Sequence, residues 1–265
     1  MKNFKNHLRF DLLLTLIIIW GTYSCSDDEV IESKKEYLIT QISTLDATQP
    51  DFDGVDNIWD YEYDEDQKLI SVIQYNPRNT FYKIENRLSY DTNGKLVKIQ
   101  VINNSTQLQQ DYLITYEEGK VSVYGMGNDI TNYYYNSERF LTRTESVFIG
   151  FNTNFSNYFR NSDNQLFKIE GGTDGVTQYI TEYMDFETSN TFQYYLITNP
   201  TQDFIMRYAF NLKYNGLGKP LSWGYGYFEY DIDNNGNVIE MRIFSDINNV
   251  REYEGGMRFK YKEKK

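Results

Sequence analysis

Histidine, cysteine and proline are nearly missing from this chain of 265 residues, which holds His7, Cys25 and four prolines. His7 lies ahead of Cys25, so the chain beyond has no imidazole at all. Ser-His-Asp and Cys-His catalysis, which rely on an imidazole base near neutral pH, are thereby excluded. Zinc sites draw on Cys and His in nearly every arrangement and are excluded with them. A single cysteine closes no disulfide within the chain, so buried apolar surface has to supply the stability. Pro50, Pro77 and Pro200 fall in apparent loops, which leaves the strands their ladder donors. Long apolar runs are also absent. The run Leu12 to Trp20 is too short for a membrane-spanning helix, which takes about 20 apolar residues.

Charge is lopsided. The formal net charge of −12 includes Lys2, Lys5 and Arg9 against Asp11 in the first 24 residues, so the remainder carries −14. A surface this acidic repels phosphate backbones, so nucleic acid is not an expected partner. It also resists anionic lipid, and no motif asks for a cofactor or a metal.

The start of the chain has a definite order. A basic segment with Lys2, Lys5 and Arg9 precedes the apolar run, and Gly21-Thr22-Tyr23-Ser24 lead to Cys25. This resembles a bacterial lipoprotein signal. The resemblance implies cleavage after Ser24, lipidation of Cys25 and attachment to the membrane through acyl chains, each buried CH₂ contributing about 0.8 kcal/mol. Ser26-Asp27-Asp28-Glu29 resembles the acidic tag that directs lipoproteins of Bacteroidota to the outer face of the outer membrane. The expected organisation is a signal peptide over 1–24, an acidic lipid-anchored tether over 25–36, and one β domain over 37–265.

From Tyr37 onward the hydrophobic pattern has period two. Val97, Ile99 and Val101 alternate with Lys98 and Gln100. Ile239, Met241 and Ile243 alternate with Glu240 and Arg242, and Met257, Phe259 and Tyr261 with Arg258, Lys260 and Lys262. Such alternation puts one set on a buried sheet face and the other in water. With 25 Tyr and 17 Phe and no helical stripe, the composition favours strands. The expected fold is all-β, an antiparallel up-and-down meander of tandem hairpins. On the order of fifteen strands of ordinary length would curl into a curved sheet or barrel.

The chain also repeats. Tyr63-Asp64 leads to Lys68-Leu69, and Tyr90-Asp91-Thr92-Asn93-Gly94-Lys95-Leu96 is the clearest copy. Shorter or altered copies begin at Tyr116, Tyr135, Tyr214 and Tyr230. In each a strand ends in Tyr, Asp or Asn bonds its own backbone to start a turn, and Gly or Asn suits the left-handed position. These residues resemble the YD repeats of RHS-type proteins. They resemble still more the YD-bearing lipoproteins of Bacteroidota, for which a barrel-like or porin-like sheet is the expectation. The resemblance covers residues 59–262, with a gap near 160–213. The toxin shell that large RHS proteins build is not implied for a chain this short.

Three features could carry a site. Asp231-Ile232-Asp233-Asn234-Asn235-Gly236 matches the first half of a calcium loop, but Arg242 stands where the bidentate Glu belongs, and a repeat turn explains every residue. In Trp223-Gly224-Tyr225-Gly226-Tyr227, a single strand would set Trp223, Tyr225 and Tyr227 on one face, a row able to stack on sugar rings or, equally, to fill the sheet's interior. Trp59, Tyr61 and Tyr63 form a weaker version. No carboxylate pair stands out. The function expected is a non-catalytic, surface-tethered binding or structural lipoprotein for glycan or protein. The alternative is a carbohydrate-active enzyme using an Asp/Glu pair, which glycoside hydrolysis requires.

Overall fold

The computed structural model describes residues 36–46, 55–125, 129–148, 150, 152–192, 205–210, 217–223, 226–247 and 250–264. Among these, sixteen strands follow one another: β1 (Tyr37–Leu45), β2 (Val55–Tyr63), β3 (Leu69–Asn76), β4 (Asn79–Tyr90), β5 (Leu96–Asn103), β6 (Leu108–Glu117), β7 (Lys120–Tyr124) and β8 (Ile130–Tyr135). The second half holds β9 (Leu141–Val147), β10 (Thr153–Arg160), β11 (Leu166–Thr173), β12 (Val176–Phe192), β13 (Leu217–Trp223), β14 (Gly226–Ile232), β15 (Val238–Ile247) and β16 (Val250–Glu263). Each pairs antiparallel with its sequence neighbours, and β1 pairs with β16 from Tyr37↔Glu263 to Leu45↔Gly256. The sheet is a closed up-and-down barrel. Closure removes both edges, which otherwise invite pairing with another chain.

The repeat is a rim device. Asp64, Asp91, Asn136, Asn161 and Asp233 open five turns of the same form. In each, the first residue's N–H donates to the fifth residue's carbonyl at 2.9–3.0 Å, and the fifth N–H donates to the first side-chain oxygen at 2.8–2.9 Å. The fourth position is left-handed in all five: Gln67 (φ 63°), Gly94 (77°), Arg139 (70°), Asn164 (60°) and Gly236 (81°). The sixth residue is Leu69, Leu96, Leu141, Leu166 or Val238, each fully buried at 0 % exposure. The register slips by one at the residue after it. This bulge turns Ile70, Val97, Phe167 and Ile239 outward, where each is at least 36 % exposed.

The repeat tyrosines latch one hairpin to the next. Tyr90 Oη donates to the Leu69 carbonyl (2.5 Å), Tyr116 Oη to Leu96 (2.9 Å) and Tyr261 Oη to Val238 (2.6 Å). Arg160 does the same work with Nη1 on Leu141 (2.6 Å). A lysine from the neighbouring hairpin lies over the ring, Lys68 at 4.6 Å from the Tyr90 centroid and Lys95 at 5.4 Å from Tyr116. Each such bond contributes about 1 kcal/mol net, so the rim gains stability in small equal steps. Gly94→Ala is expected to cost about 1–2 kcal/mol, the ordinary penalty of a left-handed non-glycine residue, because the new Cβ would also meet Lys68 Nζ at 3.2 Å. Urea unfolding of the variant beside the parent protein reads this directly.

The Tyr214 copy differs from the others. Gly218 lies within β13, not in a turn, and residues 214–216 are outside the described set. The gap near 160–213 holds two things the repeat pattern did not reveal: the fourth of the five turns, Asn161–Gln165, and a turn of π-helix at Ile205–Ala209. Ile205, Met206 and Phe210 are buried against the inner wall. The Phe210 ring lies 5.8 Å from that of Tyr133 and 6.4 Å, edge-on, from that of Tyr116, and Arg139 Nη2 donates to its carbonyl at 2.6 Å. Part of the β12–β13 connection therefore fills the barrel from within.

The two faces of the wall differ in chemistry. Inward positions such as Ile42, Val72, Ile99, Val121, Met241 and Phe259 are buried. The outward face carries ion pairs in the middle of its strands. Arg242 reaches Asp231 at 2.9 Å and Glu240 at 3.4 Å, and Arg258 reaches Glu240 at 2.6 Å. Lys98–Asp111 (2.6 Å), Arg143–Glu145 (2.9 Å) and Lys168–Glu170 (2.8 Å) continue the pattern around the barrel. In a lipid-facing wall each mid-strand Arg or Lys would cost about 2–4 kcal/mol. Mid-strand ion pairs of this kind suit a wall that faces water.

Candidate functional site

The aromatic run at 223–227 is a hairpin and not one strand. Trp223 ends β13, Gly226 opens β14, and the register pairs Trp223 with Gly226 and Ser222 with Tyr227. Directly paired residues share a face, so positions 223 and 227 fall on opposite faces of the sheet. Tyr225 lies outside the described residues. Trp223 and Tyr227 therefore do not form a flat row along one strand. Tyr227 lies on the outer face with its ring stacked on Phe244 (centroids 5.3 Å apart, planes 14° apart). The Arg251 guanidinium sits 4.8 Å from the Tyr227 ring and 3.9 Å from that of Phe244, and pairs with Glu229. Protein groups thus already use the Tyr227 ring. Trp59, Tyr61 and Tyr63 belong to the inner core, and Tyr63 Oη donates to the Ile39 carbonyl at 2.7 Å.

The calcium-like segment is a repeat turn. Asp233 Oδ1 accepts the N–H groups of Asn235 (2.9 Å) and Asn237 (2.8 Å), and Asp231 Oδ1 holds Arg242. Burial opposes ionisation of Asp233, but the bonds from Asn237 and Asn235 outweigh it and hold the carboxyl below its ordinary range. Cys25 lies outside the described residues.

A cavity of about 450 Å³ opens inside the barrel, within the ~300–1,000 Å³ range of small-molecule sites. Its walls come from β3 to β8 and from the inserted connection. Ile84, Ile99, Val101, Val123, Ile205 and Phe210 make it apolar, and the Tyr133 and Phe148 rings add to that surface. Gln74, Asn86, Gln110, Tyr112, Asp129 and Thr131 supply the polar groups. The register explains their grouping: Asn86 and Gln110 flank Val101 on either side, and Gln74 opposes Ile84, two residues from Asn86. Gly125 is needed for the shape, since a Cβ there would meet the Tyr112 ring at 3.2 Å. Phe148, 37 % exposed, stands at the mouth. There Asp129 and Phe148 also border a cleft of about 550 Å³ with Asn152, Asn154 and Thr173.

Among the described residues, most of these polar groups have no side-chain hydrogen-bond partner. Asn86 is buried and donates Nδ2 to the Val72 carbonyl at 3.4 Å, a weak bond, and its Oδ1 accepts from no described residue. The side chains of Gln74, Gln110, Tyr112 and Asp129 make no hydrogen bond to another described residue. Burial first, and then the Asp129 carboxylate, raise the Tyr112 hydroxyl above its ordinary pKa, which keeps it a neutral donor. Half-buried polar groups left open in this way call for water or a ligand. The alternation of polar and apolar residues gave no hint of the site, because polar positions read as outward-facing.

A second cavity, of about 380 Å³, lies at the repeat rim among Lys95, Tyr116, Glu117 and Arg139. Its groups are already engaged: Tyr116 bonds the Leu96 carbonyl, and Arg139 bonds the Phe210 carbonyl. Burial, reinforced by Asp91 and relieved in part by Arg139, pushes the Tyr116 hydroxyl up from 10.0 to about 12. A raised folded-state pKa adds stability that is intact below pH 10.0 and is lost as pH rises toward about 12. Phenolate absorbance recorded beside alkaline unfolding is expected to show this loss, and Tyr116→Phe should remove one share of it, because burial also raises Tyr90, Tyr183 and Tyr253.

No family model and no curated protein matches the chain. Among solved structures it is similar to a porin-like protein from Bacteroides uniformis, at 11% identity over 85% of this chain and 98% of that one, with a TM-score of 0.44. It is also similar to a porin-like protein from Bacteroides vulgatus, at 12% identity over 86% of this chain and 99% of that one, with a TM-score of 0.43.

Proposed function

We propose that the chain is a non-catalytic outer-membrane lipoprotein. Lipid on Cys25 anchors it, the residues to 36 act as a polar tether, and its barrel is displayed at the cell surface as a binding module for a glycan or protein. The observation that carries this is the belt of mid-strand ion pairs on the outer wall. A barrel with that exterior stays in water, so attachment falls to the acyl chains that the Cys25 leader would supply. The net charge of −14 beyond residue 24 keeps nucleic acid and anionic lipid away from it.

The enzyme alternative has less support. Glycoside hydrolysis takes two carboxylates across a cleft, and among the described residues the cavity lining holds one, Asp129. Several outer-wall carboxylates are held by Arg or Lys. The test is a glycan array run beside a hydrolysis screen on the purified protein. Binding without turnover is expected. Turnover of any glycan, abolished by one carboxylate-to-amide substitution, would overturn the non-catalytic reading.

A further inference from the structure

We infer that the lumenal cavity bounded by Gln74, Asn86, Gln110, Tyr112 and Asp129 is a binding site for a neutral oligosaccharide, which enters past Phe148. The inference rests on the reading of the barrel as a non-catalytic binding module and gives that module its site and ligand class.

Four features select the ligand. First, the cavity offers three amides, and each amide presents a donor and an acceptor together. Neighbouring hydroxyls on a sugar ring do the same, so amide and diol pair edge to edge. Second, among the described residues Gln74 and Gln110 make no side-chain hydrogen bond and Asn86 makes one weak bond, to Val72, and the three form a surface with apolar side chains between them, as Val101 lies between Asn86 and Gln110. A sugar ring has this mixed character, with hydroxyls at its edge and C–H groups on its faces. The rings of Tyr133 and Phe148 suit those C–H faces. Third, among the described residues the lining has no Lys or Arg, and Asp129 is its charged group. A carboxylate accepts two hydroxyl hydrogens but repels phosphate, sulfate and uronate, so the ligand is uncharged. Fourth, the cleft sharing Asp129 and Phe148 extends the site along the rim, with Asn152, Asn154 and Thr173 placing further polar groups there. The space continues past one ring, which fits a short chain better than a monosaccharide.

The experiment uses the full chain purified in detergent. It is probed on an array holding neutral oligosaccharides beside uronate- and sulfate-bearing ones, and any neutral hit is titrated by calorimetry. Gln110→Leu removes an amide that bonds no other described residue, so the fold should survive. Val123→Trp fills the cavity from its apolar side. Tyr227→Ala strips the outer face instead. The expected result is binding of a neutral glycan, at least tenfold weaker in Gln110→Leu, abolished in Val123→Trp and unchanged in Tyr227→Ala, with circular dichroism alike in all four proteins. Binding that survives Gln110→Leu and Val123→Trp but disappears in Tyr227→Ala would overturn the cavity assignment and leave the binding module standing. Preference for sulfated or uronate glycans would overturn the ligand class. Silence across the array would overturn both the site and the glycan reading.

Discussion

Gly172→Ala is expected to destabilise the barrel more than alanine at any other described glycine. Gly172 lies in β11 opposite Thr177, where the register slips between Gly171 and Gly172. A Cβ there would stand 1.9 Å from the Val176 carbonyl oxygen, 2.8 Å from its carbon and 2.9 Å from Thr177 Cα. All three atoms are backbone and belong to the hairpin that Asp174-Gly175 closes in a left-handed pair (φ 51° and 79°). No side-chain rotation relieves such a contact, so β11 and β12 must separate and lose ladder bonds. Overpacking costs about 1–3 kcal/mol in ordinary cores and more where backbone cannot move, so a loss at or beyond the top of that range is expected. Gly171→Ala is the control. Its Cβ would meet the Tyr179 ring at 2.1 Å, but that side chain is 51% exposed and can swing away at the loss of its contact with Ser156. Thermal unfolding of the two variants should rank Gly172→Ala well below Gly171→Ala; equal effects would show that the β11–β12 hairpin yields more easily than its geometry allows.

Leu96→Ala is the second large effect. Leu96 is at 0 % exposure, follows the Asp91 turn and packs in the core. Truncating a buried leucine costs about 2–5 kcal/mol through lost transfer energy and the cavity left behind. Its neighbour Val97 is equally apolar, yet the bulge turns it outward to 37% exposure. Val97→Ala should therefore change stability by no more than about 0.5 kcal/mol. Leu69→Ala, Leu141→Ala and Leu166→Ala should resemble Leu96→Ala, because each occupies the same place in its turn. A large loss from Val97→Ala would place the bulge elsewhere.

That pair shows how far the sequence could be read. The turns are legible because Asp, Asn and Gly stand where local bonding and left-handed backbone demand them, and the up-and-down meander follows from their spacing, but its closure through β1 and β16 does not. The bulge was not visible, because strict alternation puts Val97 and Ile239 with the core and says nothing of a slipped register. The Asn161 turn was missed because Arg160 replaces the tyrosine latch and Asn164 the glycine, so the same geometry is written in other letters. The alternation of 223–227 is good enough for one strand, and the pairing of Trp223 with Gly226 is what assigns them to two. The cavity escaped for a general reason. In a sheet with a filled interior, polar alternation marks the outside, but a barrel this wide keeps polar groups such as Gln74 and Gln110 facing in.

We propose a barrel for water, held at the membrane by the lipid on Cys25. The most direct measurement exports the chain from Ser26 onward behind a signal that is cleaved without lipidation, and then separates soluble from membrane fractions. Recovery as soluble, β-rich protein that needs no detergent is the expected result. Quantitative retention in the membrane, released only by detergent, would contradict it.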